Sequence, residues 1–567
     1  MKNTSARQCV RRLHELRRRY GPDFAKQKLA ILRLIPGLRF VTAIDVKRLH
    51  DCLCFLRAFP DDANVHAAVV SRLGAFQQIV QQLSAGQRAR LVESGIAGTD
   101  LYYPFSYEVA KWISSRFPGT GRIDWDTLAD TSRLDEILGQ LLEHAEADYF
   151  HGGQVSTREW LGIATNEDAT STFDWLMVQL SEREAHASFW AALYDAVDLQ
   201  LKCTLQNDLF SKTASALPTE KPCYRSEPMQ SRVRSARKEI ARPLPEIRHV
   251  ETPEGRRILD VAKSSLALRH RETDHFNNGN PDEVYVAEVG KGVQIAMNGL
   301  LPERRDPIEC TLGYLVLSNG VPIGYGGASV LFHQANTGVN IFDEYRGSEA
   351  AWLWTQVMRV THHLTGCNRF VANPYQFGEG NSEALKSGAF WFYYRLGYRP
   401  VDPEVRKVAR EEFRKIEGRR TYRSAIKTLK KLATCDMHLS LPGAVKSQLF
   451  DEDWIELSAM LASQALANTG QISRKDAMVD IAERVCAGLE LKEMQDWPEN
   501  ERFAFRRYCP IVAPLELETW TAGEKRELAS LMRAKGGRFE IDYAQKLRNH
   551  LRLFKELRKL CRAAARS

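Results

Sequence analysis

The sequence predicts an α+β protein of three parts. These are a helical N-terminal domain over 1–208, a mixed central sheet with packed helices over 254–402, and a helical C-terminal domain over 403–567, with a linker at 209–253. Three observations predict this. In the first and last thirds, apolar residues recur at three- and four-residue intervals, the spacing of one helix face. In the middle third the period changes to short strand-like runs bounded by turn residues. Between the first two parts the chain turns to Ser, Pro, Lys and Arg, with Pro218, Pro222, Pro228, Pro243 and Pro245, which is linker composition. At about 150 residues per domain, 567 residues fit three to four domains.

The helical periodicity is clear at Leu29, Leu32 and Ile35, at Leu49, Leu53 and Leu56, and at Val69, Leu73, Phe76 and Val80. Residues 1–208 read as helices throughout, and the linker has room for a short basic helix over 232–239. The central part opens with a strand at 283–289. Strands at 311–317 and 321–331 flank Asn319-Gly320, a pair suited to the positive φ angles of a tight hairpin. A strand at 339–342 then leads into a helix whose core face is Ala350, Trp354, Val357, Thr361 and Leu364, with Gly366 placed to end it. A strand at 369–372, a helix over 381–395 with core stripe Leu385, Ala389, Phe392 and Leu396, and the segment 397–401 complete the unit. Helices are expected near 404–417, 421–434, 452–467, 474–490, 523–535 and 541–562, and Met437-His438-Leu439-Ser440-Leu441 reads as a strand.

Composition excludes several classes. Hydrophobic residues at 44% and charged residues at 26% are globular values, so a wholly disordered chain or a disulfide miniprotein is ruled out. The 79 Lys and Arg against 71 Asp and Glu leave only +8, which names no partner. Eleven cysteines include no CxxC pair, and that pattern predicts a reducing, cytoplasmic setting. No apolar run of about 18 residues is present to span a membrane. Walker loop, GxSxG, HExxH and a complete dinucleotide fingerprint are all missing. Glu143, His144, Asp148 and His151 lack a further ligand that would make them a metal site, and none is assigned.

The stretch from Cys310 to Val401 resembles the core of the GNAT-superfamily N-acetyltransferases. Three features carry the resemblance: the hairpin with Gly320-Val321-Pro322-Ile323-Gly324-Tyr325-Gly326-Gly327, the strand Val339-Asn340-Ile341 running into Tyr345-Arg346-Gly347 and a helix, and Phe392-Tyr393-Tyr394-Arg395-Leu396-Gly397-Tyr398. The resemblance implies acetyl-CoA or another acyl-CoA as cofactor and a small-molecule or peptide amine as acceptor. It implies a pantetheine arm lying between splayed parallel strands at 339–342 and 369–373. It places Asn340, Ile341, Arg346, Gly347, Ser348 and Asn381 at the cofactor, Glu344 or a nearby carboxylate as general base, and Tyr393 as the acid that protonates the departing thiolate.

Elementary chemistry supports part of this and opposes part. A helix start leaves amide N–H groups free to meet phosphate, and Arg346 adds charge. Yet Glu349 stands where the family has glycine, and a carboxylate about 4 Å from a phosphate would cost on the order of 4 kcal/mol at an effective dielectric near 20. The alternatives are therefore open. Arg346 is a phosphate ligand or an ion-pair partner of Glu344 or Glu349; Asn381 is an anion ligand or a helix cap; Tyr393 is an acid or a core or interface tyrosine; Glu344 is a base, or a solvated loop carboxylate or helix N-terminal charge. The whole unit is an acyltransferase or a degenerate scaffold that recruits protein or nucleic acid. The basic first helix (Arg7, Arg11, Arg12, Arg17, Arg18, Arg19) and last helix (Lys546, Arg548, Arg552, Lys555, Arg558, Lys559, Arg562) are either amphipathic helices packed on the body with solvated basic faces or contacts for RNA, DNA or an anionic membrane. Arg269, His270, Arg271, Arg304 and Arg305 form basic clusters at the entry to the central domain, which either line an acidic substrate's path or only solvate loops.

Overall fold

The computed structural model describes residues 5–564 apart from 129, 154, 167–170, 184–186, 231, 348, 420, 451–453 and 492–493. Mixed α+β architecture is observed: a large sheet carries helices from all three parts of the chain.

The N-terminal region is not helical throughout. Three short strands, β1 (Asp100–Tyr103), β2 (Gly121–Ile123) and β3 (Leu201–Thr204), form an antiparallel sheet in the order β1-β3-β2. Runs of three or four residues are too short to register a period of two, which is why the helical reading passed over them. Leu201 and Cys203 point inward, into a core shared with Leu101, Ile123, Trp112 and Phe173. The helices before residue 96 instead bury Leu13, Val46, Leu53 and Phe55 in the main core, together with the large sheet.

The Pro-rich segment at 209–253 is no free tether. Ser211, Thr213 and Ser215 are buried. Arg57 donates to the carbonyls of Lys212 (3.3 Å), Thr213 (2.8 Å) and Ser215 (3.4 Å), and Arg359 to that of Arg242 (2.8 Å). Proline removes backbone donors but leaves carbonyls, and arginines from neighbouring elements satisfy them. The expected short helix is present at Ala236–Ile240, capped by Ser235.

The large sheet contains β4 (Ile247–His249), β5 (Gly279–Gly290), β6 (Val293–Leu300), β7 (Cys310–Ser318), β8 (Val321–Leu331), β9 (Gln334–Thr337), β10 (Asn340–Ile341), β11 (Arg369–Ala372), β12 (Arg399–Pro400) and β13 (Met437–Ser440). Its order is β12-β13-β11-β9-β8-β7-β6-β5-β4, with β10 also on β8. Neighbours are antiparallel except β9 and β11. Asn319 and Gly320 turn the β7–β8 hairpin with φ of 48° and 74°. The Asn319 side chain also donates to the carbonyls of Ala58 and Cys223, so this turn fastens the N-terminal region and the strap.

Ala350–Thr365 is a helix ended by Gly366 at φ 72°, as the sequence indicates. Its middle is buried almost all round, between the sheet, the strap helix and the C-terminal region. The single helix expected over 381–395 is two, Ser382–Ser387 and Ala389–Leu396, because Gly388 adopts φ 66° between them. That break re-aims the second helix: Phe390, Trp391, Tyr393 and Tyr394 are buried, while Phe392 is only half-buried.

In the C-terminal region, the strand expected at 437–441 inserts as β13 between β11 and β12. Helix Glu499–Val512 was not expected; it contains Pro510, which reads as a breaker yet sits in its last turn. The helix expected over 541–562 divides at His550 into Glu540–Asn549 and Leu551–Ala564. Docking of this region centres on Arg305, which is buried with Glu283 (3.2 Å) and Glu540 (3.8 Å) and donates to the carbonyls of Lys535 (3.0 Å) and Gly537 (2.6 Å). No helix among the described residues is long and apolar enough to cross a membrane.

Candidate functional site

The site is built where the one parallel strand pair comes apart. β9 and β11 run in register through Gln334–Arg369, Ala335–Phe370 and Asn336–Val371. Gly338 and Val339 then break the strand. Its continuation, β10, stays with Tyr325 and Gly324 of β8, while β11 ends at Ala372 and turns into the single turn Pro374–Phe377. The strand expected at 339–342 therefore begins at 334, and the pairing with 369–372 belongs to its first half. Beyond it 338–341 and 372–377 part without pairing to each other.

Three side chains meet where the strands part. Tyr314 donates its hydroxyl proton to the Gly338 carbonyl. The Tyr393 hydroxyl oxygen takes the backbone N–H of Val339. Gln376 occupies the space a side chain at Gly338 would need, so glycine there permits close approach. Tyr393 is 3% exposed, against Phe377 and Tyr398. Burial pushes its phenol well above the ordinary value, so it holds its proton at neutral pH, with that proton free to be donated while the oxygen accepts from Val339.

The loop after β10 carries the charged candidates. Glu344 sits 3.3 Å from Lys212 and 3.2 Å from Arg269. Burial alone would raise its pKa; the two cations reverse that and hold it well below the usual carboxylate range. Such an anion is a poor base. Arg346 is half-exposed and pairs with Asp343 and Glu383, each at 3.0 Å. Gly347 has φ 74° and faces Arg18 of the first helix, whose guanidinium donates to the Arg346 carbonyl. Ser348 lies outside the described residues.

Glu349 does not project at a ligand. It is 1% exposed and bound by Arg225 (2.6 Å), Lys291 (3.0 Å) and the Gln230 amide (2.8 Å). These cations hold its pKa down against burial. The repulsion worked out from the sequence thus acts against a charge already neutralised on the strap side. Asn381 uses its side chain as a cap, accepting from Ala384 N–H at 3.0 Å and donating to the Tyr375 carbonyl. Asn340 is exposed on β10, and Ile341 fills the space left by Gly324.

The basic residues at 269–271 and 304–305 are fasteners. Arg269 binds Glu344, His270 binds Glu93 (2.7 Å), Arg271 donates to the Tyr325 hydroxyl (3.2 Å), Arg304 binds Glu108 (3.1 Å) and Arg305 binds Glu283. Sequence reasoning missed Arg18, Lys212, Tyr314 and Gln376 as parts of the site. Only Arg18 carried a signal, inside the run Arg17-Arg18-Arg19, and nothing local tied it to Gly347. No group of three or more potential metal ligands is present among the described residues.

Comparison of the chain with protein-family models, with curated proteins and with solved structures finds no match.

Proposed function

We propose that the protein is an acyl-CoA-dependent N-acyltransferase of the GNAT type, acting on an amine of a small molecule or peptide. One observation supports this most directly: a protonated, buried phenol, Tyr393, sits where two parallel strands part, on the amide of Val339. A thioester seated there would have its carbonyl attacked by the amine nitrogen. As the new C–N bond forms and the C–S bond breaks, Tyr393 would give its proton to the sulfur and regain one from solvent as the products leave. The amine proton leaves to solvent or to an exposed carboxylate beside Arg346, Asp343 or Glu383; Glu344, paired twice, holds the loop in place. Arg346, Arg18 and the Gly347 amide would meet the diphosphate.

Calorimetric titration with acetyl-CoA and with free coenzyme A tests the reading. Micromolar binding, weakened about tenfold in Arg346→Ala, is the expected result, since one charge-assisted hydrogen bond is worth about 1.5–3 kcal/mol. Tyr393→Phe should lose turnover and keep affinity. Absence of binding up to millimolar concentration overturns the proposal. It would favour the second reading, a scaffold whose own Gln376 and Tyr393 fill the place where the strands part.

A further inference from the structure

The two basic terminal helices have different surroundings. Cations of the first helix and the turn after it have partners nearby: Arg11 and Arg12 lie by the exposed Glu15, Arg12 also donates to Gln27, Arg17 to His14, and Arg18 to the Arg346 carbonyl. The last helix, Leu551–Ala564, buries Leu553, Leu557 and Cys561 on one face. Lys555, Lys559 and Arg562 are exposed on the other, spread over about 10 Å at 1.5 Å per residue.

That polar face is one wall of a cavity of about 720 Å³. Arg548 enters it from the preceding helix, its guanidinium filling the space where Gly366 has no side chain, at the carbonyl end of the 350–365 helix. Gly366 and the helix end thus pin a positive charge at this point. Across the cavity stands His333, in the turn between β8 and β9, with its Nε2 unpartnered. Arg558 completes the ring and donates to the Ser447 carbonyl at 3.1 Å. Among the described residues that line the cavity, which include Leu551 and Phe554, none is a carboxylate. Leu551 is 55% exposed. Elements far apart in sequence therefore bring five cations and an imidazole around one opening with an apolar floor.

We propose that this cavity binds single-stranded nucleic acid, with its phosphates along Arg548, Lys555, Arg558, Lys559 and Arg562 and its bases against Leu551 and Phe554. A row of cations beside exposed apolar surface is what a single strand needs, because it presents both charge and unpaired base faces. The assignment is independent of the acyltransferase reading.

Fluorescence anisotropy of the full-length protein with a labelled oligodeoxythymidylate, between 50 and 200 mM salt, tests it. Five phosphate contacts predict a slope of log K against log salt of about −3.5 for a single strand. Lys555→Gln/Lys559→Gln, at two exposed positions that leave the thermal midpoint unchanged, should bring the slope to about −2 and weaken binding about 25-fold at 0.1 M salt. No binding at 50 mM salt, or binding with a slope that the double substitution does not move, overturns the proposal. Inorganic tripolyphosphate is the competing probe: if it binds as tightly as the strand with the same dependence on the two lysines, the site is one for small polyphosphates and the nucleic-acid assignment falls.

Discussion

Replacing Glu349 by glycine separates two views of the loop after β10. If the carboxylate merely repelled a phosphate, Glu349→Gly would restore a phosphate-binding loop at little cost to folding. The structure predicts the opposite. Glu349 is 1% exposed and accepts from Arg225, Lys291 and the Gln230 amide. Lys291 is 40% exposed and returns to water once its partner is gone. Arg225, with a side chain 7% exposed and held over the Phe59 ring, has no such escape. Removing one partner of a buried ion pair costs about 3–5 kcal/mol, most of it the charge left behind. No cap is lost, because the Glu349 side chain makes no capping hydrogen bond to the helix it precedes. Urea unfolding of Glu349→Gly, Arg225→Met and the double variant measures the effect. The double variant should be less destabilised than the sum of the singles, with a coupling above about 1 kcal/mol. Because the folded-state pKa of Glu349 is depressed, its contribution is complete above the unfolded carboxylate pKa and is lost as pH falls through the folded value, so wild type and variant should converge in acid. An unchanged urea midpoint for Glu349→Gly at neutral pH would refute the reasoning.

Three other outcomes follow from the same geometry. Burial raises Glu283 to about 7, above its unfolded value, so its contribution to stability is complete below the unfolded pKa and is lost as pH rises to about 7; Glu283→Gln should remove about 3 kcal/mol of that pH dependence in urea titrations between pH 4 and 8. Gly366→Ala forces a left-handed alanine and evicts Arg548, which should cost about 1–2 kcal/mol from the backbone alone and weaken oligonucleotide binding in the anisotropy assay. Arg18→Ala, at an exposed position, should leave the thermal midpoint in place and weaken acetyl-CoA binding by about tenfold in calorimetry; equal affinity removes Arg18 from the diphosphate contact.

Features that depend on neighbours a few residues apart were legible in the sequence. Asn319-Gly320 turned the hairpin, Gly366 ended the helix from Ala350, and alternation at 437–441 marked a strand. Each is a backbone preference that acts without distant help. The same local reasoning failed where two tendencies competed. Gly388 divided a helix that the apolar spacing carried straight through, and Pro510 was tolerated at a helix end.

The roles of the charged residues emerged from contacts between distant segments. Glu344 and Glu349 are adjacent to the same loop, yet one is held by Lys212 and Arg269 and the other by Arg225 and Lys291, partners 58 to 132 positions away. Arg346 lacks such burial and stays at the surface. The parting of β9 from β11, the seat of Tyr393 on Val339 and the ring of cations around the C-terminal cavity likewise join segments that no periodicity connects. The reason is physical. Backbone conformation is chosen by sterics within one or two turns, whereas the state of an ionisable side chain is set by desolvation and by charges a few ångströms away in space, wherever in the chain they originate.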